Sequence, residues 1–403
     1  MSRSVYVIAT MDTKGHELAF VAELIRDVGV DAVLVDVGTG DPPSEQPGIP
    51  RETVAACHPR GAAHVLDQSD RGTAVTAMSE ALTAFLAREH SAGNVAGAIG
   101  LGGTGGTALI APSLSTLPVG LPKLIVSTVA SGNTAAYVGC GDLILMPSVV
   151  DVAGLNVVSR KVLANAAHAI AGMVSHQVAE GRVRPAVGMT MFGVTTPCVT
   201  AAREKLEADG SDVLVFHATG TGGQAMEKLV DSGLIGGVID ATTTEVADEV
   251  VGGVFRAGPD RFDAILRKRV PYVLSVGALD MVNFGARDTV PAEFRSRTLH
   301  VHNANVTLMR TTPDENRLAA RWIAEKLNRS TAPLILLIPD GGVSALDAPG
   351  MPFWDREADA ALFDELEHAL EASPQRQIRR LPHHINAPAF AQALVDAYHE
   401  VSA

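Results

Sequence analysis

Aromatic residues make up only 4% of this chain, and three cysteines and seven lysines are spread over 403 residues. Each scarcity excludes a class of function. So few aromatics offer no platform for stacked nucleobases. Cys57, Cys140 and Cys198 are too few and too dispersed for a disulfide framework or a thiolate zinc site. Scattered lysines and a net charge of −13 leave no cationic surface for a phosphate backbone, which argues against nucleic acid as a partner. Apolar runs such as Leu334 to Ile338 fall far short of the ~20 residues of a spanning helix. Asp12, Lys14 and Glu17 interrupt the N-terminus early, so no signal peptide is read there. The expectation is a cytoplasmic protein with no membrane partner.

What is present is globular. Hydrophobic residues reach 47%, charged residues 19% and glycines 38 in number, a composition that rules out disorder and coiled coil and suits tight turns between strands and helices. The length predicts two or three units of about 100–200 residues. Short apolar runs alternate with amphipathic stretches. Val5 to Ala9 reads as a strand, and Leu18, Val21, Ala22, Ile25 and Val28 share a helical stripe stopped by Gly29. Ala32 to Val37 is dense enough for a buried parallel strand.

The plan restarts near residue 186. Val187 leads to Thr190-Met191, Val199, Ala202 and Leu206 mark a helix stopped by Gly210, and a strand runs from Val213 to Phe216. Three later pieces echo earlier ones: Gly93-x-x-x-Gly97-x-Ile99 with Gly233-x-x-x-Gly237-x-Ile239, Pro122 to Ile125 with Pro271 to Leu274, and Leu143 to Pro147 with Leu334 to Pro339. The fold class expected is α/β, with two Rossmann-like parallel-sheet subdomains arising by internal duplication. A helix from Ser159 to Glu180 and the polar Glu180-Gly181-Arg182 place the boundary at about 182–185, giving subdomains 1–183 and 184–403.

In open parallel sheets ligands bind beyond the carboxyl ends of the strands, where strand order reverses. Two glycine loops fall at such ends. Gly100-Leu101-Gly102-Gly103-Thr104-Gly105-Gly106-Thr107 precedes a helix starting at Ala108, and His217-Ala218-Thr219-Gly220-Thr221-Gly222-Gly223-Gln224 precedes one starting at Ala225. Glycines let a phosphate approach the backbone, and a helix N-terminus offers free N–H donors; a ligand-free turn is the alternative. No Gly-Lys pair exists, so a P-loop is excluded. The second loop with Asp240 downstream keeps a dinucleotide open. Asp12-Thr13-Lys14 could set charges beside a nucleotide or simply cap a helix. Ser131, Gly132 and Asn133 lie in a polar stretch that could nest an anion or only turn the chain.

His217, Asp240, Asp280 and Asp340 each end an apolar run and could together form an acid–base centre, against a reading as ordinary loop polarity. His300 and His302 fall on one strand face, but without a third ligand a metal site stays weakly supported. His383, His384 and Cys198 read as structural.

Taken together, certain stretches resemble the widespread bacterial and fungal family that shares a domain with the tomato mosaic virus resistance protein. They are Thr10 to Lys14, Gly100 to Thr107, Ser127 to Asn133, Asp151 to Asn156, Gly188 to Pro197, His217 to Gly223, Gly277 to Phe284 and Val306 to Thr312. The match spans about residues 5 to 365. The resemblance implies two Rossmann-like subdomains, ATP binding with magnesium, and a homodimer. It also implies a C-terminal TIM-barrel domain in longer members, which is not expected here, since little more than one helix is expected after Leu381. A function needing the barrel would require a separate TIM-barrel protein. The expected function is a nucleotide-binding protein, an enzyme on a small metabolite in one reading and a nucleotide-gated protein-binding module or a dinucleotide-dependent oxidoreductase in the others.

Overall fold

The computed structural model describes residues 3–176 and 186–403. The chain forms two compact units, Met1–Gly181 and Arg182–Ala403; the expected boundary at 183/184 lies outside the described residues.

Unit 1 holds strands β1 (Ser4–Ala9), β2 (Ala32–Asp36), β3 (Val95–Gly102), β4 (Lys123–Ser127) and β5 (Ile144–Pro147). All are parallel, in the order β2-β1-β3-β4-β5. This is a doubly wound sheet whose order reverses between β1 and β3. Its central strand β3 is buried along its whole length, which explains an apolar run without polar alternation. After β1, the helix Met11–Asp27 buries Leu18, Val21, Ala22 and Ile25, as the stripe predicts. Val28 departs from it: it caps the helix and is 52% exposed. The chain is already turning there into Gly29, whose φ of +84° only glycine adopts freely. The helix expected from Ser159 begins at Val157, with Asn156 accepting from the N–H groups of Val158 and Ser159, and runs to Ser175. Its expected last turn lies outside the described residues.

Unit 2 holds β6 (Ala186–Met191), β7 (Val213–His217), β8 (Ile235–Thr242) and β9 (Tyr272–Gly277). Three short strands follow, β10 (Met281–Phe284), β11 (Leu299–Asn303) and β12 (Val306–Arg310), then β13 (Leu334–Pro339) and β14 (Arg376–Leu381). The main sheet is parallel in the order β14-β13-β9-β8-β6-β7, and the short strands form a separate antiparallel sheet, β10-β12-β11. Strands β6, β7, β8, β9 and β13 therefore repeat the order of β1 to β5. The repetition extends to detail. The register slips at Ser4/Val5 between β1 and β3 and at Ala186/Val187 between β6 and β8. Ala98 N–H donates to Pro122 O, and Val238 N–H to Pro271 O, both at 2.9 Å. Gly210 matches Gly29 with a φ of +84°.

Unit 2 differs by its insertion between β9 and β13 and by the added strand β14. The insertion has a packing consequence. Phe192 and Val194 after β6, Ala278 after β9 and Leu346 after β13 form one apolar cluster with Met281, Leu308 and Phe353. That cluster lies beyond the carboxyl ends of these strands and ties their loops to the inserted sheet. No helix among the described residues is long and apolar enough to cross a membrane.

Candidate functional site

In unit 1 the loops after β1, β2 and β3 stay apart and enclose a cavity of about 400 Å³. One wall is Thr10, Asp12 and Thr13, where β1 passes into its helix; another is Thr39, Gly40 and Asp41 after β2. Gly105 and Gly106 contribute from the helix Thr104–Thr116, Arg71 from the start of the helix Arg71–Ser91, and Gln68 and Ser69 from the turn before it. The cavity sits at the β1/β3 reversal, where doubly wound sheets bind ligands. Topology thus joins two separate candidate motifs, Asp12-Thr13 and the first glycine loop.

The chemistry of the walls is mixed. The N–H groups of Thr104, Gly105 and Gly106 open a helix and have no intrahelical acceptor. A Cβ on Gly105 would meet nothing nearer than Arg71 Nη2 at 4.0 Å, so the loop and this guanidinium face each other across open space. Asp12 Oδ2 accepts from Gly40 N–H at 3.3 Å, while its buried Oδ1 has no partner among the described residues. Anion-binding donors therefore lie beside a carboxylate with an unused oxygen.

The other residues of these motifs have different places. Gly102 is glycine because a Cβ there would come within 2.9 Å of Gly106 Cα, so it sets strand-to-helix packing. Gly103 is the helix N-cap, and Thr104 is exposed beside it. Thr107 is a correction: its hydroxyl is fully buried and bonded to Ser127 Oγ at 2.6 Å, tying the helix to β4 rather than facing a ligand. Lys14 is half-buried and does not line the cavity. Ser131, Gly132 and Asn133 are exposed after β4 in a local turn, with Gly132 N–H on Val129 O at 3.0 Å. They do not line the cavity either.

The second glycine loop is not the counterpart of the first. It follows β7, which takes the place of β2, whereas the first follows β3. Its donors are also taken. Gly220 and Gly223 give their N–H groups to Glu245 Oε1, at 2.7 and 3.1 Å. Glu245 is fully buried and paired with Arg261 at 3.0 Å. A Cβ on Gly222 would strike the carbonyl of His217, and one on Gly223 would strike Glu245. Thr221 opens the helix Thr221–Asp231. These glycines pack against a carboxylate of the protein itself, which occupies the place a phosphate would take.

Asp240 belongs to the same network. It is fully buried and accepts from Thr190 Oγ1 at 2.6 Å, Tyr272 Oη at 3.0 Å and Arg261 Nη2 at 2.8 Å. Arg261 also pairs with Glu227 at 3.2 Å. Burial pushes the Glu227 and Glu245 carboxyls up, against the pull of Arg261. Asp280 lies in a second network, fully buried, with Ser344 Oγ donating at 2.7 Å. Burial raises it to about 6, the nearby Arg310 opposing. Asp347 and Asp359 share that network: burial and the charge of Asp280 raise Asp347 to about 6, and burial and the charge of Asp347 raise Asp359 to about 7. Asp340 is a surface residue paired with Arg380 at 2.7 Å. His217 is exposed at the end of edge strand β7, its ring 5.3 Å from that of Phe192.

The expected centre of His217, Asp240, Asp280 and Asp340 is thus not assembled. Two of its acids serve separate buried arginine clusters, and the other two residues are at the surface. His300 and His302 find no metal partners, since no group of three metal-ligating side chains exists among the described residues.

Residues 3–179 match the N-terminal domain, and residues 184–402 the C-terminal domain, of the Uncharacterised protein family UPF0261. The chain belongs to the UPF0261 family. A UPF0261 protein of Rhizobium meliloti is 56% identical over 400 residues, 99% of each chain. A UPF0261 protein of Clostridium tetani is 45% identical over 98% of each. The resemblance to the tomato protein also holds: the ToMV resistance protein Tm-1(GCR237) of Solanum lycopersicum is 49% identical over 424 residues. That alignment covers 100% of this chain and 56% of the tomato protein. In this UPF0261 chain, Arg71, Thr39, Gly40, Asp41, Gln68 and Ser69 are the cavity residues that no motif announces. A signal that could have found some of them is Gly38-Thr39-Gly40, a glycine turn directly after β2.

Proposed function

We propose that unit 1 binds a nucleoside triphosphate, ATP, in the cavity at the β1/β3 reversal. The observation that carries this reading is the pairing of the Gly105-Gly106 helix start with Arg71 across one cavity. Free N–H donors and a guanidinium suit the phosphates. Magnesium fits the remaining walls. A nucleotide-borne magnesium needs only one or two protein carboxylates because phosphates and waters complete its shell. Asp12, with its unpartnered buried oxygen, and Asp41 are available for it. The volume is within the ~300–1,000 Å³ of small-molecule sites.

The oxidoreductase reading loses its support, because Asp240 is committed to Arg261, Thr190 and Tyr272 and its side chain is fully buried. An enzyme acting on a small metabolite remains the function that the two acids beside the phosphate donors suit best. Exposed Ile144, Val149 and Val157, in and after edge strand β5, favour a homodimer, which sedimentation equilibrium tests. The nucleotide reading is tested by thermal unfolding with ATP and magnesium against NAD. Ligand at a hundredfold excess over its dissociation constant stabilises the native state by about 2.7 kcal/mol. A clear rise with ATP, lost in Arg71→Ala, is expected; a larger rise with NAD, or none with ATP, overturns it.

A further inference from the structure

Two residues outside the cavity join its walls. Asp36 ends β2 and Arg51 opens the helix Arg51–Ala55. They are 1% and 7% exposed, and no motif marks either. Asp36 Oδ1 accepts from the N–H groups of Met11, at 3.0 Å, and Gly38, at 2.8 Å. Its Oδ2 accepts from Arg51 Nε at 2.6 Å. Arg51 Nη1 then donates to Gly40 O at 3.1 Å, and Gly40 N–H donates to Asp12 Oδ2 at 3.3 Å. Met11 and Asp12 are neighbours, so the bonds form a closed ring from the β1 loop through Asp36, Arg51 and Gly40 back to the β1 loop.

A buried ion pair alone needs only one contact between its charges. Here the arginine uses separate nitrogens in two directions, one for the carboxylate and one for the opposite wall. The fork geometry of guanidinium permits this, and a single ammonium on a flexible stem does not reproduce it. We propose that Asp36 and Arg51 are positioning residues. They set the distance between the Asp12 wall and the Thr39–Asp41 wall, and through it the affinity for the triphosphate. The proposal rests on the nucleotide reading of the same cavity.

Arg51→Lys separates positioning from charge compensation, because it keeps a cation beside Asp36 while losing the bond to Gly40. Two measurements are made on the full chain, amide hydrogen exchange without ligand and calorimetric binding of ATP with magnesium. Exchange at Gly38 and Gly40 should quicken at least tenfold in the variant, with β1 and β3 amides unchanged, and the dissociation constant should rise at least tenfold. Asp36→Ala, as a second variant, removes the acceptor itself and should also free the Met11 amide. Unchanged affinity in a folded Arg51→Lys protein overturns the proposal, as does unchanged exchange in the two loops. Loss of the fold in both variants overturns it too, since the pair is then purely structural. If the wild-type chain binds no ATP, the nucleotide reading fails separately, and the exchange data alone judge whether the ring holds the loops.

Discussion

Replacing Arg261 by leucine tests the buried network of unit 2. The guanidinium is 1% exposed and lies within 3.2 Å of three carboxylates, those of Glu227, Asp240 and Glu245. Leucine fills comparable apolar volume but leaves three acids with no cation. Removing one partner from a buried ion pair costs about 3–5 kcal/mol. A second route to the number agrees: keeping one further glutamate protonated at pH 7.5, some three units above its ordinary value, costs about 4 kcal/mol at 1.36 kcal/mol per unit. The expected loss is therefore about 4 kcal/mol at pH 7.5. At pH 5 protonation is nearly free and the loss should fall to about 1–2 kcal/mol, mainly packing and hydrogen bonds. The assay is urea unfolding followed by tryptophan fluorescence. Both tryptophans, Trp322 and Trp354, lie in unit 2, and Trp322 packs 5.6 Å from Phe262, the neighbour of Arg261. A loss under about 1 kcal/mol at pH 7.5, or the same loss at both pH values, refutes the reasoning that this arginine neutralises a shared negative charge.

Further outcomes follow from the same structure. Burial holds Asp248 at about 7, and Asp280, Asp347 and Asp359 at about 6, 6 and 7. The folded unit then binds more protons than the unfolded chain between about pH 4 and 7, so its stability falls as pH rises through that window. His217, held toward its neutral form by the partial desolvation of its ring beside Phe192, opposes this with a single group; the urea midpoint should be higher at pH 5.5 than at pH 8, and the reverse order refutes the shifts. Asp280→Asn should be at least as stable as wild type at pH 8, because the amide needs no charge where Asp280 Oδ1 has no partner among the described residues; a loss of several kcal/mol in chemical unfolding contradicts that. Gly105→Val should weaken ATP binding tenfold or more with little change in melting temperature, since a side chain there meets only Arg71 at the cavity. Normal affinity in a folded variant reduces the first glycine loop to a turn.

The sheet plan was legible because parallel strands buried on both faces leave dense apolar runs, and because glycine turns recur at matching places. The echoes of Gly97 with Gly237 and of Pro122 with Pro271 correspond to β3 with β8 and β4 with β9. The site was legible only in part. Asp12-Thr13 and Gly105-Gly106 were visible as polar ends of strands, and topology brought them together. Arg71 and Arg51 were not visible, since a lone arginine carries no pattern and each lies far along the chain from the loops it serves. The second glycine loop misled for a physical reason. Glycines that receive an internal carboxylate have the same spacing as glycines that receive a phosphate, and Glu245 lies 22 residues beyond Gly223. The acids at the strand ends misled likewise, because the sequence does not reveal that Asp240 is buried on Arg261 and Asp280 on Ser344 while Asp340 pairs with Arg380 at the surface.

The insertion that covers unit 2 also bears on the order in which the chain acquires structure. In unit 1, β4 and β5 are neighbours separated by the stretch from Ser127 to Ile144, whereas their counterparts β9 and β13 are separated by the stretch from Gly277 to Leu334. Joining the ends of a loop more than three times as long adds about 1 kcal/mol of closure entropy before any pairing rewards it. The more distant pairing slows folding further. A chain synthesised from its N-terminus completes unit 1 while β13 is still unmade. The unit with the cavity at the β1/β3 reversal is therefore the first to reach a folded form, before the rest of the polypeptide has finished its search.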